Sequence, residues 1–328
     1  MKHAHDCKGK GFAKKALIAM MLLTLAACDD AGTDRVTPLV NGFDVETGTM
    51  LTASKADCFN RGLELVRLSG KVRYFGLDIL QQPPAPRPLT GIPGVLVWLA
   101  EYPITKRFNI KTDENGLWEM YIIKPRGRQI DVSFAYEKDH YPKQVEALVF
   151  PDGGLPAGWD KSVIKSNVHT IGSDDITDLA MQMPDELFLY YAKTALEDQI
   201  DAMTGTAYPI QNIAVATVGK SWASIYDSSL PHGDAGATVT ITPAPATPLS
   251  GPIYFDETVT PNPTLTQTSI DGGVLFNNLL PGVQSISAVK APFAYDTIQF
   301  VVDPFFKVYI ASPPHSIQGT NTSGPGQP

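Results

Sequence analysis

The chain has 328 residues, 43% of them hydrophobic and 18% charged, with 34 acidic against 26 basic side chains. That balance disfavours DNA, RNA and anionic headgroups, whose binding rests on Lys and Arg neutralising phosphates, so no nucleic-acid partner is expected. The apolar content suffices for ordinary cores, and 27 Gly with 27 Pro favour many short strands joined by turns over long helices.

At the start, Lys2, Lys8, Lys10, Lys14 and Lys15 precede an apolar run from Ala16 to Ala27. The run is shorter than the roughly 20 residues of a membrane-spanning helix, and a basic flank before a short apolar core is the pattern of a signal peptide. Its end, Leu25-Ala26-Ala27-Cys28, resembles the lipobox of bacterial lipoproteins. The resemblance implies cleavage between Ala27 and Cys28, a diacylglyceryl thioether on the Cys28 sulfur, and an acyl chain such as palmitate on the freed amine. At about 0.8 kcal/mol per buried CH₂, two or three chains make a stable anchor. The expected location is therefore the bacterial cell envelope, attached to a membrane through lipid on Cys28. Asp29 and Asp30 come next. In enterobacterial lipoproteins an aspartate there retains the anchor in the inner membrane, while a solvated tether accounts for the two acids equally well, so inner and outer membrane both stay open.

Removing residues 1–27 takes away five lysines and one aspartate, leaving 21 basic and 33 acidic side chains and a net charge of −12. Cys7 leaves with the leader and Cys28 is consumed by lipid, so Cys58 has no partner for an internal disulfide and is expected as a small buried hydrophobe.

Residues 28–62 read as the lipidated cysteine and a polar tether. A first β-sandwich is expected over 63–184, from strands at Leu63 to Tyr74, Val95 to Leu99, Leu117 to Ile123 and Ile130 to Tyr136, closing at Leu179 to Met183. Pro83-Pro84-Ala85-Pro86-Arg87-Pro88 lacks backbone donors and reads as an extended loop, not a ladder strand. Thr112-Asp113-Glu114-Asn115-Gly116 reads as a hairpin turn, and Lys124-Pro125-Arg126-Gly127 as a second turn. Residues 185–205 form a connecting helix laid on the first domain, with Leu189, Ala192, Leu196 and Ile200 on its apolar face and Gly205 past its end. A second β-sandwich is expected over 206–312 and a disordered tail over 313–328.

The second sandwich repeats landmarks of the first. Val218 to Trp222 echoes Leu68 to Val72, Asp234 to Ile241 echoes Gly91 to Leu99, Ser269 to Phe276 echoes Thr112 to Trp118, and Leu280-Pro281-Gly282 echoes the Lys124 turn. This order of turns and strands resembles the carboxypeptidase regulatory-like domain over roughly 65 to 150 and again 212 to 303. The resemblance implies two transthyretin-like, Ig-type β-sandwiches serving as non-catalytic modules. The proline-rich insertion at 83 to 88 and a long loop at 243 to 263 depart from it.

Catalytic chemistry finds little support, and the chain is read as no enzyme. Ala214 to Ser221 fits a loose phosphate-loop pattern, but its residues are strand formers and lack the glycines that let backbone N–H groups wrap a phosphate. His140, His169, His232 and His315 stand singly, Asp113-Glu114-Asn115-Gly116 and Asp174-Asp175 miss the calcium-loop spacing, and no cofactor or metal is expected. The expected function is a lipid-anchored binding or scaffolding module with a protein or glycan partner. A glycan-binding surface is the second reading, and an unrecognised hydrolase the third. Trp98, Trp118, Trp159 and Trp222 could stack on sugar rings if exposed; Trp98 and Trp118 sit in strand runs as core, and Trp159, in the loop Gly158-Trp159-Asp160, is the candidate to test.

Overall fold

The computed structural model describes residues 38–75, 77–78, 85–86, 91–138, 159, 163–184, 186–219 and 233–310. Its first elements correct the tether expectation. β1 (Val40–Asp44) and β2 (Thr49–Ala53) form an antiparallel hairpin. Asp44 Oδ1 holds the turn by accepting from the N–H groups of Glu46 at 2.9 Å and Thr47 at 3.3 Å. α1 (Lys55–Asn60) starts at a capping box, where the Ser54 hydroxyl accepts from Asp57 N–H at 3.0 Å and the Asp57 carboxylate accepts from Ser54 N–H at 3.1 Å. It buries Cys58, 1% exposed, beside Ala53, Leu65 and Ile123, and burial pushes the thiol pKa up.

The first sandwich follows the alternation in the sequence. β3 (Leu63–Phe75) is joined by the short pair β4 (Leu77–Asp78) and β5 (Ala85–Pro86) to β6 (Leu96–Leu99). A two-residue ladder thus includes Pro86, against the loop expectation, at an isolated pair where little pairing is lost. Then come β7 (Leu117–Pro125), β8 (Ile130–Glu137), β9 (Ile164–Ile171) and β10 (Ile176–Pro184). One sheet has the order β10-β3-β7-β1-β2, and β6, β8 and β9 pair antiparallel in the facing layer. Val66, Leu68, Trp118, Met120 and Ile122 meet Val97, Val132, Phe134 and Tyr136 between them. The turn at 112–116 is not a hairpin: it carries the chain from β6 in one sheet to β7 in the other.

α2 (Glu186–Thr204) leads into β11 (Ile213–Thr217), β12 (Thr238–Thr242), β13 (Ile253–Phe255) and β14 (Pro261–Asn262). β15 (Gly273–Asn277), β16 (Gly282–Val289), β17 (Ile298–Val302) and β18 (Val308–Ile310) complete the second sandwich. β12-β16-β17 form a three-stranded sheet. The others join the first sandwich in one eight-stranded sheet, β14-β13-β15-β11-β18-β9-β8-β6. The joint is the parallel pair β18 with β9, in which Val308, Tyr309 and Ile310 meet Ile164, Lys165 and Ser166.

β11, β13, β15 and β18 are buried along their whole length, as expected of strands covered on both faces. Ile213, Val215, Phe255, Leu275 and Ile310 share a core with Leu189, Ala192, Leu196 and Ile200 of α2 and with the first sandwich. Ala214, Ala216, Tyr254, Val274, Phe276 and Tyr309 face the second core, closed by Val239, Ile241, Ile286 and Phe300. α2 therefore lies on strands of the second half as well, and is not a connector on the first domain alone. Its acids bind the returning chain, Glu197 accepting from Ile210 N–H and Asp201 from Tyr208 N–H, both at 2.7 Å. The expected loop at 243–263 contributes β13 and β14 to the eight-stranded sheet.

The repeat is written in backbone hydrogen bonds. In the first sandwich Val72 N–H donates to Gly116 O at 2.9 Å and Ile92 N–H to Val72 O at 3.0 Å; in the second, Val218 N–H donates to Gly272 O and Asp234 N–H to Val218 O, both at 2.8 Å. The Thr112 hydroxyl donates to Ile92 O and accepts from Val95 N–H; that of Thr268 donates to Asp234 O and accepts from Ala237 N–H. Strand order repeats too, with β18-β11-β15 matching β10-β3-β7 and β12-β16-β17 matching β6-β8-β9. Val218 is thus the counterpart of Val72, which shifts the sequence echo around Gly70 and Gly219 by several residues.

Candidate functional site

The repeat gives an internal reference, and the second sandwich departs from it at two buried positions. Where the first has Ile92, fully buried, the second has Asp234, 3% exposed. Asp234 lies at the end of the sandwich beside the turn after β16. Its Oδ1 takes the Lys290 ammonium and its Oδ2 accepts from the Tyr295 hydroxyl at 2.5 Å. Burial, then the bond to Asp234, pushes the Tyr295 phenol pKa up, so it stays a donor. Both carboxylate oxygens are engaged, so the cluster fastens the turn at Lys290 to Phe293, which Phe293 N–H closes on Lys290 O at 2.7 Å.

A second departure is Asp271, the counterpart of Asn115. Asn115 is exposed, whereas Asp271 is buried beside β13, with Oδ2 accepting from Gly273 N–H at 3.0 Å. Burial raises its pKa to about 7, opposed by that hydrogen bond and reinforced by the neighbouring Asp256 charge. Asp256 is itself a turn anchor, accepting from the N–H groups of Thr258 at 2.8 Å and Thr260 at 3.1 Å.

A third cluster lies at the joint between the sandwiches. Lys165 of β9, almost fully buried, donates to Asp303 at 2.9 Å and stands 3.9 Å from Glu101. The other Glu101 oxygen accepts from Ser133 N–H at 2.7 Å. The Phe306 ring lies 5.3 Å from the Lys165 ammonium, and the Tyr309 hydroxyl donates to Asp303 O at 2.8 Å. One cation thus ties a strand of the first sandwich to the β17–β18 connection of the second.

Of the residues singled out from sequence, Ala27 and Cys28 lie outside the described residues, as do His140, His232, His315, Trp222 and the end of the phosphate-loop match from Lys220. Trp159 is a core residue, 5% exposed, with the Lys193 ammonium 5.7 Å from its ring. A buried ring has no free face for a sugar, which corrects the expectation of ligand contact at Trp159. Trp98 and Trp118 are buried as expected. Asp113 is a turn residue, its Oδ1 accepting from Asn115 and Leu117 N–H at 2.8 Å, and Asp175 binds Lys55 and Arg67 N–H. His169 lies against Phe134 at 5.5 Å between ring centroids, and burial lowers its pKa to about 4, so it is neutral at physiological pH. Among the described residues no three His, Cys, Asp or Glu side chains come together to hold a metal, and no helix is long and apolar enough to cross a membrane.

Fold and clusters together define a mainly β protein of tandem, sheet-sharing sandwiches in which the buried Lys165 and Asp234 are engaged in internal ion pairs. No family model matches the chain, and no curated protein matches it. Among solved structures it is similar to the Bacillus anthracis TIE protein at 11% identity and a TM-score of 0.20, over 76% of this chain and 34% of that one. It is also similar to a streptococcal ancillary pilin at 10% identity and a TM-score of 0.19, over 78% of this chain and 63% of that one. The chain thus spans about a third of the first of these proteins and under two thirds of the second. Likenesses at such TM-scores carry no conclusion about its partners or assembly.

Proposed function

We propose that the chain is a lipid-anchored protein of the bacterial cell envelope, in which two β-sandwiches act as a rigid, non-catalytic binding or scaffolding module. The observation that carries this reading is the eight-stranded sheet shared by both repeats. Its β9–β18 joint, reinforced by Lys165 and Asp303, suits a module whose two sandwiches are held in one fixed arrangement. The engagement of Asp234, Lys290 and Lys165 in internal pairs supports a structural role for them over a catalytic one. The resemblance of the turn order to carboxypeptidase regulatory-like domains points the same way, and the lipobox-like Leu25-Ala26-Ala27-Cys28 supplies the anchor.

Fractionation of cells carrying Cys28→Ser tests the anchor. The variant should accumulate as an unprocessed precursor lacking lipid, whereas normal maturation and membrane attachment would remove the lipoprotein reading. For the wild type, detergent should be needed to release the mature protein, because two or three buried acyl chains hold it far more firmly than one. Exchanging Asp29 and Asp30 for serine in the same assay decides whether those acids select the membrane.

A further inference from the structure

Among the described residues, the outer face of the three-stranded sheet β12-β16-β17 is left exposed, while its counterpart in the first sandwich is covered. On the counterpart, Trp98 is 5% exposed and Ala135 fully buried. The segment after β6 lies over them, with the Lys106 ammonium 4.4 Å from the Trp98 ring and the Glu101 carboxylate on Ser133 N–H. In the second sandwich the outward residues of β16 are Val283, Ser285, Ser287 and Val289, with Val283 58% and Val289 63% exposed. They are flanked by Thr238, Thr240 and Thr242 on β12 and by Gln299 and Val301 on β17. None of these side chains is charged, on a chain with 34 acids and 26 bases.

We propose that this face docks on the same face of a second copy of the chain. The pattern along β16 is self-complementary: Val283 and Val289 stand symmetrically about the midpoint between Ser285 and Ser287. A two-fold axis lying between the sheets, across the strands, sets β16 antiparallel on its copy. Val283 then meets the other copy's Val289, and Ser285 meets its Ser287, as an isologous contact requires. The neighbouring row on β12 follows the same axis, Thr240 of one copy over Thr242 of the other, so hydroxyls and methyls face their own kind in an aligned sheet-on-sheet packing. Two acidic chains can approach here because neither brings a charge, whereas a charged partner would find nothing to pair with. The proposal concerns assembly and holds whether or not the lipid anchor does.

The test is sedimentation of the full chain in excess detergent micelles at about 100 μM, wild type against Val283→Lys with Val289→Lys. The wild type should be dimeric, and the double variant, which sets lysines against lysines, should be monomeric with its dissociation constant raised about 100-fold or more. Both positions are exposed, so the thermal transition of the variant should be unchanged, which separates loss of the interface from loss of the fold. Paired Ser285→Cys and Ser287→Cys should give an interchain disulfide under mild oxidation that the wild type, treated alike, does not. A monomeric wild type overturns the proposal, including one that binds only a different envelope protein through this face. A dimer that survives the lysines, as one held by lipid alone would, overturns it equally.

Discussion

The first and second sandwiches close on the same backbone knot but fill it differently. Val72, Gly91, Thr112 and Gly116 in one repeat, and Val218, Gly233, Thr268 and Gly272 in the other, make matching backbone and threonine contacts. Around that frame an apolar Ile92 becomes an ion-paired Asp234, and an exposed Asn115 becomes a buried Asp271. Backbone geometry and the glycines that allow it fix the turn. Neighbouring side chains change in polarity as long as each new group finds a partner, or, at Asp271, a proton.

The largest expected effect breaks the shared frame. A Cβ on Gly91 would lie 1.7 Å from Asn115 O, and one on Gly233 2.2 Å from the Asp271 carbonyl carbon. Gly91→Ala and Gly233→Ala should each lower stability by about 3 kcal/mol or more in denaturant titration, since backbone, unlike a flexible side chain, cannot move aside cheaply. A cost confined to one repeat would show that the knots are not equivalent.

The next effect sharpens the difference at Asp271. Its folded-state pKa of about 7 lies above the ordinary 3.8, so the folded protein holds the proton more tightly than the unfolded chain. The stability tied to that proton is complete below the ordinary value, is lost as pH rises through about 7, and stays lost above it. Asp271→Asn keeps an acceptor for Gly273 N–H and removes the charge, so at pH 8 it should be more stable than wild type by roughly 3 kcal/mol. At pH 4 the two should be nearly equal; parallel stability curves across this range would refute the assignment. Asn115→Ala, at the exposed counterpart, should show no such pH dependence.

The smallest effect converts one repeat to the solution of the other. Asp234→Ile with Lys290→Met and Tyr295→Phe replaces the buried cluster by apolar groups of similar size, and stability should change by no more than about 1 kcal/mol. Lys290→Met alone leaves Asp234 buried without its cation and should cost about 3 kcal/mol, so the thermal transitions of the two variants should differ clearly.

Much of the strand content was legible because period-two alternation reports a half-buried strand directly, as at Ile130, Val132, Phe134 and Tyr136. The fully apolar Ile253-Tyr254-Phe255 is not legible as a strand, because the prolines around it favour a loop and a three-residue run without alternation does not reveal its sheet. The elements before residue 63 do carry a local signal: Ser54 followed three residues later by Asp57 is a helix start. Trp159 looked like a loop residue between Gly158 and Asp160, yet it is buried, and nothing local to that tripeptide announces a contact with α2.

The sequence by itself determined the mainly β class and the repeated order of turns, because these depend on neighbours along the chain. The tertiary structure decided that β18 pairs with β9, that α2 serves a core common to both halves, and that Asp234 rather than Ile92 meets a lysine. The hydrogen bonds that join one strand edge to another are made by backbone groups identical in every residue. Which edges meet is therefore settled only when burial of the side chains between the layers brings particular strands side by side.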